Sequence, residues 1–440
     1  MRTKFILALI LIGTSTLNGQ AQEQKWQWVK QFGTNGNDYS CDLALDEASN
    51  AYIVGYTDNV YAKTEKTDNA DICLIKTDPA GNLLWTRQIT AGGSNQALAV
   101  VADSKGDIYF TGNTYGSFPG SKNNGSADLV LGKVSGDGQT VWIRELGTKE
   151  SDYGIDLAMN NSGDIYVAGD TYGKLGNKYA GDADVFLAKY DGNGYTSWIK
   201  EFGTVGPDHC GAVICDSQEN IYLVGDTSGA LDKNNNQGDA DVFLVKYDPY
   251  GEKIWSRQFG TKAGDYGCTI TRDANDNIYI AGDTKGSFKG YANAGQTDIF
   301  MAKFDASGKM AWLKQFGTKE NDHARKIIAD QLGCVYLDGD TNSVFSGNTN
   351  KGKSDIFLAK LDASGNIIWI KQFGTSENDF CSGIGLNNNH ELYISGDTQG
   401  NMGNMSTGGI SDIFLLNINT TGPPQVEQPG EIIKGGAKGK

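Results

Sequence analysis

The sequence predicts an all-β fold: a seven-bladed β-propeller of four-stranded antiparallel blades. Three observations lead there. A module of about 57 residues recurs seven times, each module divides into four short strand segments, and the chain opens with the strand type that its last module lacks.

The tetrad QFGT or a variant begins at Gln31, Gln88, Glu145, Glu201, Gln258, Gln315 and Gln372, every 56 or 57 residues. A tryptophan stands three residues before each one, from Trp28 to Trp369. In the third module, "GIDLAMN" from Gly154 reads as strand a, "DIYVAGDT" from Asp164 as b, "DVFLAKYD" from Asp184 as c and "TSWIKEFG" from Thr196 as d. Short Gly/Asn/Asp turns join a to b and c to d, as tight hairpins require. Strands b and c carry β-branched and aromatic residues without alternation, so both faces are expected to be buried between blades. In strand d, Trp, Lys or Arg, and Phe share parity and should line one face.

The ends set the closure. Residues Trp26 to Phe32 form a d-type strand before any a, b or c, and the seventh module ends after strand c at Ile418. The first strand is therefore expected to pair into the last blade and seal the ring, removing the edges an open array would expose.

Three segments follow: 1–21 a signal peptide, 22–419 the propeller and 420–440 a flexible tail. Arg2 and Lys4 precede an apolar stretch from Phe5 to Ile12, and Gly19-Gln20-Ala21 offers a cleavage point. The apolar stretch is too short to span a bilayer, so no transmembrane segment is expected after cleavage. The protein is expected to be exported, to the periplasm, the cell surface or the medium, and to be a monomer. The tail mixes prolines with Lys434, Lys438 and Lys440 among glycines, a pattern of solvated ends.

The unit "DIFLAKLDASGNIIWIKQFGTSENDF", with "GDIYVAGDT" upstream, resembles the bacterial SBBP-type β-propeller repeat over essentially the whole mature chain. That resemblance implies an exported bacterial protein and implies no general activity. The second module departs most, with "ITAGGSNQA" from Ile89 to Ala97.

The formal net charge is −15, and losing the basic leader makes it more negative. A nucleic-acid partner is excluded on that ground, since neutralising phosphates needs a basic face. Seven cysteines fall at blade-equivalent or apolar-strand positions, Cys73 and Cys334 among the latter, so they read as buried thiols rather than a disulfide framework.

Function is sought on the face formed by the d-to-a and b-to-c loops, because the opposite hairpins are short and uniform. Three sets of acids recur on that face. They stand in the d-to-a loop (Asp38, Asp152, Asp208, Asp265, Asp322, Asp379, with Asn95 in module two), in "GDT" after strand b (Asp170, Asp226, Asp283, Asp340, Asp397, with Tyr56 and Asn113 in modules one and two), and at the start of strand c. Recurrence in every blade points to loop fixing rather than chemistry. One residue past the first set stand Tyr39, Tyr153, His209, Tyr266, His323 and Phe380, an expected ring of aromatics and histidines around the channel mouth. The candidate ligand-binding rim is therefore Tyr39, Tyr56, Asn95, Asn113, Tyr153, His209, Tyr266 and His323, with the asymmetric sector around Tyr56, Asn95 and Asn113.

No cofactor is expected, and the metal question stays open. The acidic face leaves room for calcium, but Asp273-Ala-Asn275-Asp-Asn277 lacks the glycine and glutamate of a calcium loop and reads as a hairpin turn. No G-x-S-x-G elbow and no phosphate loop entering a helix occurs. The expected function is a non-catalytic binding or scaffold module for a protein or glycan. The alternative is a carbohydrate-active hydrolase or lyase using two rim carboxylates. A quinoprotein-like dehydrogenase is disfavoured: "LDASGNIIW" (Leu361–Trp369) resembles the Trp motif of that class with one residue fewer between Asp and Gly, and adjacent cysteines are missing.

Overall fold

A computed structural model describes residues 26–59, 69–176, 179–402 and 409–420; the expected signal peptide, 1–21, and all but the first residue of the expected tail, 420–440, lie outside them. The chain forms seven separate four-stranded antiparallel sheets. Blade one has strands a (Asp38–Leu45), b (Ala51–Thr57), c (Asp71–Thr77) and d (Leu83–Ile89), in that order across the sheet. Blades two to six repeat it. Blade seven has a (Asp379–Leu386), b (Glu391–Thr398) and c (Asp412–Asn419), and takes its outer strand from the start of the chain, Trp28–Phe32. Trp28 pairs with Asn417 and Phe32 with Ile413, so the ring is sealed as the sequence predicts. The strand itself begins two residues later than expected: Trp26 lies outside it, edge to face with Phe373 of blade six at 5.9 Å.

Strands b and c are buried on both faces, as their lack of alternation predicted, and strand d is half exposed. Each strand b contributes a tyrosine. Tyr166 and Tyr222 are fully buried, with the strand d tryptophan against the ring edge at 6.0 and 5.8 Å and the strand c lysine over its face at 5.4 and 4.7 Å. Three large side chains thus meet in each of these blades, each aromatic hiding on the order of 150–250 Å². The lysine adds cation–π attraction while its stem packs.

Blades join through the c-to-d hairpins. Gly138 at the tip of blade two's hairpin has φ +84°, and a Cβ there would lie 3.0 Å from the indole of Trp85 in blade one. Only glycine meets both conditions, a left-handed backbone and a ring laid flat on it. The same contact repeats at the seam, where Trp28 lies on Gly81 (φ +76°) of blade one. The seal therefore uses the ordinary blade-to-blade contact.

Strand a is innermost. Its register slips in every blade, between Gly154 and Asp156 in blade three, for example. This bulge leaves one residue unpaired. Cys334 sits in the hairpin before strand b of blade six (Val335–Thr341), not inside a strand as expected, and all seven cysteines are free thiols. Asp273 accepts from the backbone N–H groups of Asn275 and Asn277 at 2.9 and 3.0 Å, so that segment is the expected hairpin turn.

Candidate functional site: the channel mouth

Two of the three carboxylate sets are committed to the loops. In the d-to-a loop, Asp38 Oδ2 accepts from Thr34 N at 2.6 Å and from its hydroxyl at 3.0 Å; Asp152 holds Thr148 in the same way at 2.6 and 2.9 Å. The other oxygen takes the hydroxyl of the "GDT" threonine, as in Thr171 to Asp152 at 2.5 Å. Both atoms are thus used to tie a loop to strand b. At the start of strand c, Asp298 Oδ2 accepts from Gln315 Nε2 at 3.0 Å and from Ala294 N at 2.9 Å.

In blades two and three that glutamine is Glu145 or Glu201. Burial first, and then Asp184 beside it, pushes the Glu201 carboxyl up to about 7. Glu201 Oε2 accepts from Gly176 N at 2.5 Å.

The third set rims the mouth. Two of the "GDT" aspartates, Asp170 and Asp283, meet the start of the next blade's strand a. Asp170 accepts from Cys210 N at 2.7 Å and stands 3.1 Å from His209 Nδ1; Asp283 does the same with Ala324 N at 2.9 Å and His323 Nδ1 at 2.7 Å. The carboxylate orients each imidazole and raises its pKa through the hydrogen bond. His209 and His323 keep 40% and 34% of their side-chain surface, so the free edge of each ring reaches the mouth. Asp340 pairs with Arg325 Nε at 2.5 Å. Asp397 accepts from the Ser411 hydroxyl at 3.3 Å, and burial pushes it up to about 7.

The aromatic members spread around the same rim. Tyr39 and Tyr56 stack at 4.9 Å, Tyr153 lies edge-on to Tyr172 at 6.2 Å, and Tyr266 carries Lys285 Nζ over its face at 5.4 Å. Asn95 and Asn113 are buried. Asn95 Oδ1 accepts from the Thr114 hydroxyl at 2.6 Å and its amide donates to Gly93 O at 3.0 Å, so it does the loop-tying work of the aspartate it replaces. The sector around Tyr56, Asn95 and Asn113 therefore presents the Tyr39–Tyr56 rings, while its two amides face inward.

Below the mouth lies a charged set that the repeat comparison passed over. Four residues past the d-to-a aspartate, the seven blades carry Asp42, Ala99, Asp156, Ala212, Thr269, Lys326 and Gly383. Lys326 Nζ of blade six reaches Asp42 Oδ1 of blade one at 3.0 Å, passing blade seven. Asp42 and Asp156 also accept from Val100 N and Val213 N of the next blades at 3.0 and 2.8 Å. Asp338 accepts from Lys326 N at 2.8 Å, and its second oxygen is buried with no hydrogen-bond partner among the described residues. Burial pushes Asp156 up to about 6 and Asp338 to about 7, while Asp42 and Asp156 hold the Lys326 ammonium well above its ordinary range. Lining up the modules at this one offset reveals the set. Pairwise motif reading does not, because the bulge breaks the parity of strand a there.

Among the described residues no group of three or more His, Cys, Asp or Glu side chains is arranged to hold a metal, and no helix is long and apolar enough to cross a membrane.

Residues 27–62 and 254–289 match the model of the SBBP β-propeller repeat. Regulatory protein FlaEY of Caulobacter vibrioides is 26% identical over 196 residues, 40% of this chain and 20% of its own. An uncharacterized WD repeat-containing protein of Acanthamoeba polyphaga mimivirus is 24% identical over 271 residues, 49% of this chain and 19% of its own. Each match thus covers about a fifth of the relative. Among solved structures, the Pan2 WD40 domain of Neurospora crassa superposes with a TM-score of 0.50 at 12% identity, covering 88% of this chain and 91% of that one. That likeness concerns the fold alone.

Proposed function

We propose that this SBBP-repeat propeller is an exported, non-catalytic binding module that takes a protein or glycan ligand at the mouth of its loop face. One observation carries the reading. The carboxylates that recur in the d-to-a loops are spent on loop geometry, whereas the residues that differ between blades, Tyr39, Tyr153, His209, Tyr266 and His323, stand at the start of each strand a with surface to spare. A rigid ring presenting variable aromatic and polar groups is how loop-bearing scaffolds recognise ligands. Stacked tyrosines beside carboxylates suit both sugar faces and peptide side chains.

The test is a glycan and peptide array probed with residues 22–440, wild type and His209→Ala/His323→Ala. Binding that disappears in the double variant, with unchanged melting, supports the reading. Turnover of a glycan, abolished by neutralising one mouth carboxylate, would replace it with the carbohydrate-active alternative. Export is checked by N-terminal sequencing of the mature protein, expected to begin at Gln22.

A further inference from the structure

The mouth aspartates are not equivalent. Asp170 has His209, Asp283 has His323, and Asp340 has Arg325: each is supplied with a basic side chain. Asp397 has the Ser411 hydroxyl. Asp226, at the end of strand b of blade four (Ile221–Thr227), accepts no hydrogen bond from any described residue. The position that should supply its partner, the start of strand a of blade five (Asp265–Arg272), holds Tyr266 instead of histidine. The Tyr266 hydroxyl is turned away onto its own loop, where a Cβ on Gly264 would meet it at 2.5 Å. Its ring already carries an ammonium, that of Lys285.

We infer that the sector between Asp226 and Tyr266 takes the ammonium or guanidinium of a Lys or Arg side chain belonging to a basic partner protein. The blade pattern supplies the reason. Two neighbouring copies of this position fill it with a histidine from the same chain, a third carboxylate is met by Arg325, and the fourth is left with a carboxylate on one side and an aromatic on the other. Those are the two elements that hold a cation, charge and π-face. Burial, together with Asp170 and Asp208, pushes the Asp226 carboxyl up to about 7 against the pull of His209. The chain's net charge of −15 draws a basic protein toward this face.

The inference rests on the binding-module reading, and the test separates the two. A fluorescent peptide of alternating Gly and Arg is titrated against residues 22–440, with Gly/Gln and Gly/Glu peptides as comparators and a glycan array in parallel. The Arg peptide is expected to bind, and Asp226→Asn to weaken it at least about tenfold. Tyr266→His, which gives Asp226 the partner Asp170 already has, should weaken it similarly. Glu252→Gln, an exposed acid on the opposite face, should not. Asp226→Asn removes a carboxylate that already resists ionisation, so it is expected to fold; melting confirms this. Arg-peptide binding unchanged in Asp226→Asn overturns the inference. A glycan bound through the histidines, with no peptide bound, overturns it too and leaves the binding module standing. Silence from both ligand classes defeats both.

Discussion

Replacing Lys326 with methionine keeps most of the stem and removes the ammonium that stands among Asp42, Asp156 and Asp338. Asp42 and Asp156 would then face each other with Asp338 nearby, each held in place by a backbone N–H of blade two, four or six. Stranding one partner of a buried pair costs roughly 3–5 kcal/mol. Lys326 keeps 27% of its side-chain surface, so screening brings the expected loss to about 2–4 kcal/mol at pH 8. At pH 5 the loss should shrink, because Asp156 already titrates at about 6 with the lysine present and will take a proton more readily without it. Each unit of pKa is worth about 1.4 kcal/mol. The assay is urea unfolding at both pH values for wild type, Lys326→Met, and Lys326→Met with Asp42→Asn. The double variant should recover much of the loss, since the charge stranded by the first change is gone. Stability within about 0.5 kcal/mol of wild type for the single variant at pH 8, or no recovery in the double, would refute the claim that this pair ties blade six to blade one.

Other expectations follow from the same structure. Overall stability should fall as pH rises from about 5 to 8. Asp156, Asp226, Asp338, Asp397 and Glu201 hold protons when folded that the unfolded chain gives up near pH 4, so their contribution is present below the unfolded pKa and lost through about 6–7, while His209 and His323, whose pKa values are also raised, lose theirs only as pH rises past the ordinary histidine range; urea midpoints at pH 5, 6.5 and 8 measure it. Glu201→Gln restores the amide used in the other blades and should stabilise by about 1–3 kcal/mol at pH 8 and little at pH 5; an equal effect at both would contradict a protonated Glu201. Gly81→Ala should cost clearly more than Gly163→Ala. Both have left-handed backbones, worth about 1–2 kcal/mol, but only Gly81 would also drive a Cβ into Trp28 at 2.6 Å and open the seam. Equal losses would mean that Trp28 does not lock the ring.

Seven modules each saying the same thing made the fold legible. Trp28 to Phe32 placed before any strand a, and Asp412 to Ile418 without a following strand d, were enough to locate the seal. The mouth was legible in part. Tyr39, Tyr153, His209, Tyr266 and His323 share one repeat position, and one position in a closed ring means one circle. The burial of Asn95 and Asn113 was not legible, because an amide that ties a loop looks the same in sequence as one offered to a ligand. The Lys326–Asp42 pair was hidden for two reasons. Its partners come from modules one and six, whose adjacency across the axis is a property of the closed ring, and both sit at the bulge, where the two-residue periodicity used to assign faces fails.

Hydrogen exchange of residues 22–440, with and without an array-identified ligand, tests the central claim most directly. The account predicts added protection at the mouth, over 38–41, 152–155, 208–211, 265–268 and 322–325, and none over the a-to-b and c-to-d hairpins. Protection confined to those hairpins, or to the outer d strands, would contradict it.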